Sequence, residues 1–345
     1  MYYYITNNCL EIYFVFGIEI LIQKIALLLI MIIIGLIIRK YNIVDDSAAG
    51  LLANITVYVT QPAMIIYSFI DAKFTKEILF GCIVVFIIAL LSHILYYVIA
   101  LNLFKNVPDI HRKTLRYGMV FTNAGFLGIP LIGSLIGSVG AVYSTFYVLV
   151  FNIFNWSVGC YIYTKDKKYM SPKKMFWNPA TVPTYIGIIL AILIGTVRLP
   201  DAIAPIFNNY LIPIFYDNVL YLLKCAVLPI SMIMIGVRLV GCNFLSFFKD
   251  KNILLLFFIR LIALPFFLLL VMKLLSLTGI FGLEQTKMLT SVIVISAATP
   301  VAAMASIFAE KFEGDPTYSG AIVSISSVLS LITMAFVSSV MLGVI

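Results

Sequence analysis

The chain of 345 residues is 63% hydrophobic and only 11% charged, with a mean hydropathy of +1.10; this excludes a water-soluble globular domain and points to a polytopic membrane protein. Five scattered cysteines, Cys9, Cys82, Cys160, Cys225 and Cys242, read as packing residues, with neither a disulfide framework nor a metal set. The formal charge of +8 is spread in step with the expected membrane topology, so it does not indicate a nucleic-acid partner.

A helix needs about 20 apolar residues to cross a hydrocarbon core roughly 30 Å thick. Continuous runs such as KIALLLIMIIIGLII (Lys24 to Ile38) and ILFGCIVVFIIALL (Ile78 to Leu91) lack the alternation of a transmembrane barrel. The fold is therefore expected to be all-α, with ten spans near 16–38, 48–69, 78–101, 115–136, 140–163, 180–198, 215–238, 252–274, 287–308 and 319–343. The first span has no basic stretch before it and no small-residue cleavage site after it, so it is expected to be retained. With the first terminus outside, fifteen basic residues fall in cytoplasmic connections, against five outside (Lys73, Lys76, Arg198, Lys273 and Lys287). Both termini are thus expected to be extracytoplasmic.

The basic loop YTKDKKYMSPKKMFWNP (Tyr163 to Pro179) divides the spans five and five. Because five is odd, the second half is expected to lie inverted on the first, as repeats over 1–165 and 166–345. Pro62 and Pro130, in the second and fourth spans, recur as Pro229 and Pro300 in the seventh and ninth, displaced by 167 and 170 residues.

The fourth span contains TNAGFLGIPLIG (Thr122 to Gly133). A proline inside a helix removes one backbone hydrogen bond, here freeing carbonyls near Phe126 and Leu127, and lipid does not satisfy such groups. Gly125 and Gly128 allow another backbone to come close, and Asn123 adds a donor and an acceptor. The ninth span holds the matching ISAATPVAAMAS (Ile295 to Ser306). Two interrupted helices in inverted halves point to a transport site at the midplane, and half-helix N-termini favour an anionic group. The substrate-binding candidates are Thr122, Asn123, Gly125, Gly128, Ile129 and Pro130 with Ser296, Thr299, Pro300 and Val301. Close packing of small residues is the competing reading.

Other polar groups within spans are pathway candidates. Lys224 lies five residues before Pro229, where a lysine costs roughly 2.5–3.5 kcal/mol on insertion scales. It is expected either to face a cavity and neutralise a carboxylate, or to snorkel or pair with Asp217. Arg260 is expected to snorkel to the cytoplasmic interface. Gln61, with Asn54 two turns earlier, lines the pathway or caps carbonyls freed by Pro62. Glu19, Gln23 and Lys24 are placed at the wetted outer part of the first span. His93 and His111 form no metal pair, and no Walker loop, zinc-binding helix or nucleophile elbow occurs. The reading includes no enzyme, cofactor or metal, and leaves H⁺ or Na⁺ as coupling ion open.

Taken in order, IIGLIIRKYNIVDDSAAGLLANITVYVTQPAMIIYSF (Ile33 to Phe69), TNAGFLGIPLIGSLIG, NPATVPTYIGIILAILIG, CAVLPISMIMIGVRL and ATPVAAMASIFAEKFEGDPTYSGAIVSISSVLSLIT resemble the auxin efflux carrier family, whose bacterial members include malate and malonate permeases. The resemblance implies ten spans in two inverted five-helix repeats, similar to bile-acid and sodium/proton antiporter folds. Spans four and nine would cross at broken points and bind a substrate carboxylate. Spans one, two, six and seven would form a scaffold, and spans three to five and eight to ten an elevator-like moving part, in a homodimer. Asn123 and the Gly128 to Pro130 break match the family's fourth-span site, and Pro300 matches the ninth-span break. Some members carry an amide after that proline, whereas here the run is Val301, Ala302, Ala303, Met304; Thr299 or backbone N–H groups are left to supply the contact. The expected function is secondary transport of a small organic anion across the cytoplasmic membrane. A non-transporting receptor of the same fold is the alternative, and a channel is disfavoured because no charge ring or filter-like sequence is visible.

Overall fold

The computed structural model describes residue 23 and residues 26–45, 47–72, 75–178, 181–196, 214–240 and 249–344. Cys9, Glu19, Lys24, Lys73, Pro179, Arg198 and Cys242 lie outside them, as does the start of the first expected span. All regular structure among the described residues is helical apart from one isolated β-bridge. Besides two short turns of helix at Lys167–Met170 and Pro172–Phe176, the helices are α1 (26–40), α2 (Ala48–Asp71), α3 (Lys76–Asn102), α4 (Asp109–Val120), α5 (Ala124–Ile136), α6 (Ser138–Thr164), α7 (Val182–Thr196), α8 (Ile214–Leu239), α9 (Lys251–Ser276), α10 (Leu283–Ala298), α11 (Met304–Lys311) and α12 (Pro316–Val344). Six of them, α2, α3, α6, α8, α9 and α12, are long and apolar enough to cross a bilayer. Where single fourth and ninth spans are expected, the chain instead forms the shorter pairs α4/α5 and α10/α11.

Prolines shape the helices in a way that periodicity does not disclose. Pro62, Pro130 and Pro265 each follow a five-residue π turn, over Thr56–Thr60, Ala124–Gly128 and Ile259–Ala263 respectively. The wider turn moves the preceding carbonyl away from the pyrrolidine ring, so the helix continues past the proline. Pro229 lies inside continuous α8. None of these four prolines interrupts its helix.

Two packing groups emerge. α2 packs on α7 and α8, while α3, α4, α5, α6, α9, α10, α11 and α12 pack among themselves; between the groups α2 meets α6, and α8 meets α5 and α12. α1 joins the first group through a backbone contact with α8. A Cβ added to Gly236 would lie 2.0 Å from the Ile32 carbonyl oxygen and 2.8 Å from the Gly35 Cα; one added to Gly35 would lie 2.1 Å from the Ile233 carbonyl oxygen. No side chain fits there, so the two helices cross with their main chains touching.

At the start of α4, Asp109 accepts hydrogen bonds from Arg112 and from Lys165 in the loop after α6. The Arg112 guanidinium first, and Lys165 second, hold this carboxyl below the usual carboxylate range. A depressed carboxyl stabilises the fold above its unfolded-state value of about 3.9, and the contribution disappears as pH falls through the folded-state value. The pair is largely solvated, so Asp109→Asn is expected to cost under about 1 kcal/mol at neutral pH. Melting temperatures of the two proteins should converge in acid.

Candidate functional site

The site is built on two gaps in helical structure. α4 ends at Val120 and α10 at Ala298, and both chains then run extended. The extended pieces meet antiparallel, with Thr122 opposite Val301. The Asn123 N–H donates to the Pro300 carbonyl at 2.7 Å, and the Ala302 N–H donates to the Phe121 carbonyl at 3.0 Å. Buried backbone groups require partners, and each gap supplies what the other lacks. The Val301 N–H donates to Ser326 Oγ at 3.2 Å.

This places the fourth-span interruption at Phe121 to Asn123, seven residues before Pro130 and upstream of the expected Phe126 and Leu127 carbonyls. The physical reason is the π turn, which accommodates Pro130 without breaking α5. Pro300 does lie within its gap, so the two prolines are not equivalent in the structure.

Past the crossing, α5 and α11 each begin with first-turn N–H groups that no helical carbonyl can satisfy. Both helix starts line a cavity of about 50 Å³, Gly125 and Phe126 from α5 and Ala303 and Met304 from α11. That volume holds a few water molecules or one carboxylate head. Thr122 and Asn123 line it from the crossing and Gln61 from α2. The Asn123 side chain is 4% exposed and its Nδ2 has no hydrogen-bond partner, while its backbone carbonyl accepts from Leu127 and Gly128. An unsatisfied amide donor and two positive helix ends therefore face the same small space.

α6 adds Asn152 and Asn155 to the lining, two residues that the sequence reading missed. Tyr117 donates to Asn155 Oδ1 at 2.6 Å, which leaves the Asn155 Nδ2 as a donor the cavity can use. Two amides three residues apart in an otherwise apolar span were the available signal. Gly125 has a specific steric role: a Cβ there would lie 2.9 Å from Gln61 Nε2. Gly125→Ala is expected to push the Gln61 side chain aside and raise the apparent KM several-fold, with folded yield unchanged, as read by uptake kinetics.

The remaining candidates divide. Ile129 and Pro130 line a separate cavity of about 260 Å³, together with Ser68, Ser138 and Lys224. Gly128 faces Ala124, Thr299 and Ser296 and permits the close approach of α10. Thr299 Oγ1 donates to the Ser296 carbonyl at 2.8 Å, ending α10, and does not line the Asn123 cavity. Ser296 Oγ is buried without a partner. The Val301 side chain is buried against Gly118. Asn54 is exposed and lines neither cavity. Lys224 forms no ion pair with Asp217 among the described residues; its Nζ sits 3.9 Å from the centroid of the Tyr67 ring, a cation–π contact.

Arg260 overturns the snorkelling expectation. It lies in the π turn of α9, 0% exposed, with its guanidinium carbon 5.2 Å from the centroid of the Tyr96 ring. Depth was the overlooked signal: nine residues beyond Lys251 is roughly 13 Å along a helix, too far for the side chain to return to the interface. Cys82, Cys160 and Cys225 are free thiols, and no metal-ligating group of three or more residues occurs among the described residues.

Comparison with known proteins gives a family for the chain. Residues 20–338 match a family described as membrane transport protein. The chain is 24% identical over 314 residues to an uncharacterised transporter of the archaeon Methanocaldococcus jannaschii, covering 90% of this chain and 96% of that protein. The match spans the two interrupted helix pairs and nearly everything between the termini, and the chain accordingly belongs to the auxin efflux carrier-like family of membrane transport proteins.

Proposed function

We propose that the protein is a secondary carrier of small organic anions, carboxylates of the malate, malonate or auxin-like type, and that the Asn123 cavity binds the carboxylate. The observation that carries this reading is the convergence of the α5 and α11 starts and the free Asn123 Nδ2 on one cavity. A carboxylate accepts the hydrogen bonds that these groups offer, and its charge complements both helix dipoles. The absent ninth-span amide is replaced in this proposal by the N–H groups of Ala303 and Met304 and by Asn155.

In this reading ten passes form two inverted repeats. α1, α2, α7 and α8 act as scaffold and the other helices as the moving part, which shifts past α2 and α8 in an elevator-like cycle within a homodimer of the cytoplasmic membrane, both termini outside. The Asn123 cavity then opens on the cytoplasmic side. The larger cavity, with Lys224, lies on the outer half of the route. Lys224→Met is expected to lower affinity about tenfold, equivalent to about 1.4 kcal/mol, through loss of a charge that attracts the anion as it passes.

The deciding experiment is uptake of labelled malate, malonate and an aromatic carboxylate into proteoliposomes under separately imposed proton and sodium gradients. Saturable, gradient-dependent uptake supports a coupled carrier. Binding without flux under either gradient would instead favour the receptor.

A further inference from the structure

We propose that a small inorganic anion of the halide class binds beside Arg260, among His93, Tyr96, Thr122 and Tyr147, next to the helix crossing. These five residues come from α3, α6, α9 and the α4/α5 gap, and each is 0% exposed. The Arg260 guanidinium nitrogens, the Tyr96 and Tyr147 hydroxyls, Thr122 Oγ1 and His93 Nε2 are all buried without a hydrogen-bond partner. The residues are nonetheless neighbours: Tyr96 lies under the guanidinium, the His93 ring centroid is 5.5 Å from that of Tyr147 and 6.1 Å from that of Tyr96, and Tyr147 faces Thr122.

The chemistry of the set selects the ligand. A guanidinium stays protonated and only donates, with five N–H groups, and the phenols and the threonine each add a donor. His93 Nδ1 is 2.8 Å from the Ala89 carbonyl oxygen; that oxygen can only accept, so the proton is on Nδ1 and Nε2 is an acceptor. The three hydroxyl oxygens can accept as well as donate, and His93 Nε2 accepts, but none of these neutral groups compensates the positive charge. Desolvating an unpaired ion costs more than a desolvated cation–π contact returns. The groups acting electrostatically on Arg260 are the two phenols, and it makes no ion pair among the described residues. Water would accept hydrogen bonds but leave the charge. An anion does both, and a monatomic one needs the least space within so fully buried a cluster. Through Thr122, which also lines the Asn123 cavity, the bound ion braces the crossing.

The test needs neither transport nor an organic substrate, so its failure is separable from failure of the carrier reading. The melting temperature of the purified full chain is measured as chloride or bromide replaces gluconate at constant ionic strength, and the anomalous signal of bromide is located in crystals. The expected result is a melting temperature that rises with halide and saturates, as mass action requires for a ligand of the native state, with a bromide peak beside the guanidinium. Arg260→Met should remove the dependence. Should that variant not fold, the double substitution Tyr96→Phe, Tyr147→Phe keeps the cation and should move the halide midpoint at least tenfold higher. Halide-independent melting with no bromide peak would overturn the proposal, as would an unaltered halide midpoint in the double variant.

Discussion

Asn123→Ala is expected to reduce carboxylate uptake, as kcat/KM, about 10- to 100-fold while leaving the protein folded. A hydrogen bond to a charged group contributes about 1.5–3 kcal/mol, which corresponds to that range of rate or affinity. The prediction separates function from stability because the residue's two roles use different atoms. Its N–H and carbonyl hold Pro300, Leu127 and Gly128, and these contacts persist in alanine. Its Nδ2 is buried and unpartnered, so removing it lifts a desolvation penalty and the melting temperature should stay level or rise. Asn123→Asp should be worse for uptake, since a carboxylate there repels the substrate. Initial uptake rates together with ligand-induced thermal shifts provide the check, and full affinity in Asn123→Ala would move the binding site elsewhere.

Gly236→Leu is expected to prevent correct assembly, at a cost of at least about 3 kcal/mol, the upper end of what overpacking produces. The first atom beyond Cα would already lie 2.0 Å from the Ile32 carbonyl oxygen, and main chain cannot step aside as a flexible side chain does. α1 and α8 must then separate along their whole contact. Gly236→Ala should show the same defect in weaker form, and Gly35→Leu should reproduce it from the other helix. Monodisperse yield in detergent and melting temperature measure the effect; wild-type values for Gly236→Leu would mean that α1 is free to leave α8. Gly125→Ala, by contrast, meets only the far end of Gln61, which is why its expected effect is kinetic.

The all-helical membrane character and the position of Asn123 at an irregularity of the fourth span were readable because both are violations or continuations of a simple pattern: long apolar runs, and an amide where lipid tolerates none. The location of the fourth-span gap was not readable. Proline is a local signal, but whether it breaks a helix depends on whether the preceding turn can widen, and Thr56–Thr60, Ala124–Gly128 and Ile259–Ala263 all do. The gap at Phe121 to Asn123 contains no proline; it persists because Pro300 and Ala302, far away in sequence, satisfy its backbone. For Arg260 and Asn155 the sequence carried a signal, depth for the one and a pair of amides for the other, but not the direction of the side chain, which is decided by neighbours, here Tyr96 for the arginine and Tyr117 for the asparagine.

The bridge between Thr122 and Val301 also imposes an order on biosynthesis. Its two strands are separated by most of the chain, so it is a contact of very high sequence separation. While α4 and α5 are already in the membrane, the Phe121 carbonyl and the Asn123 N–H have no partner until residues 300–302 emerge and insert. The nascent fourth span must therefore wait, with its polar backbone held by water or by transient neighbours, and the cavity beside Asn123 comes into existence only once residues 300–304 have been made. A chain lacking those residues would contain the Asn123 amide and the α5 start yet have no closed cavity between them.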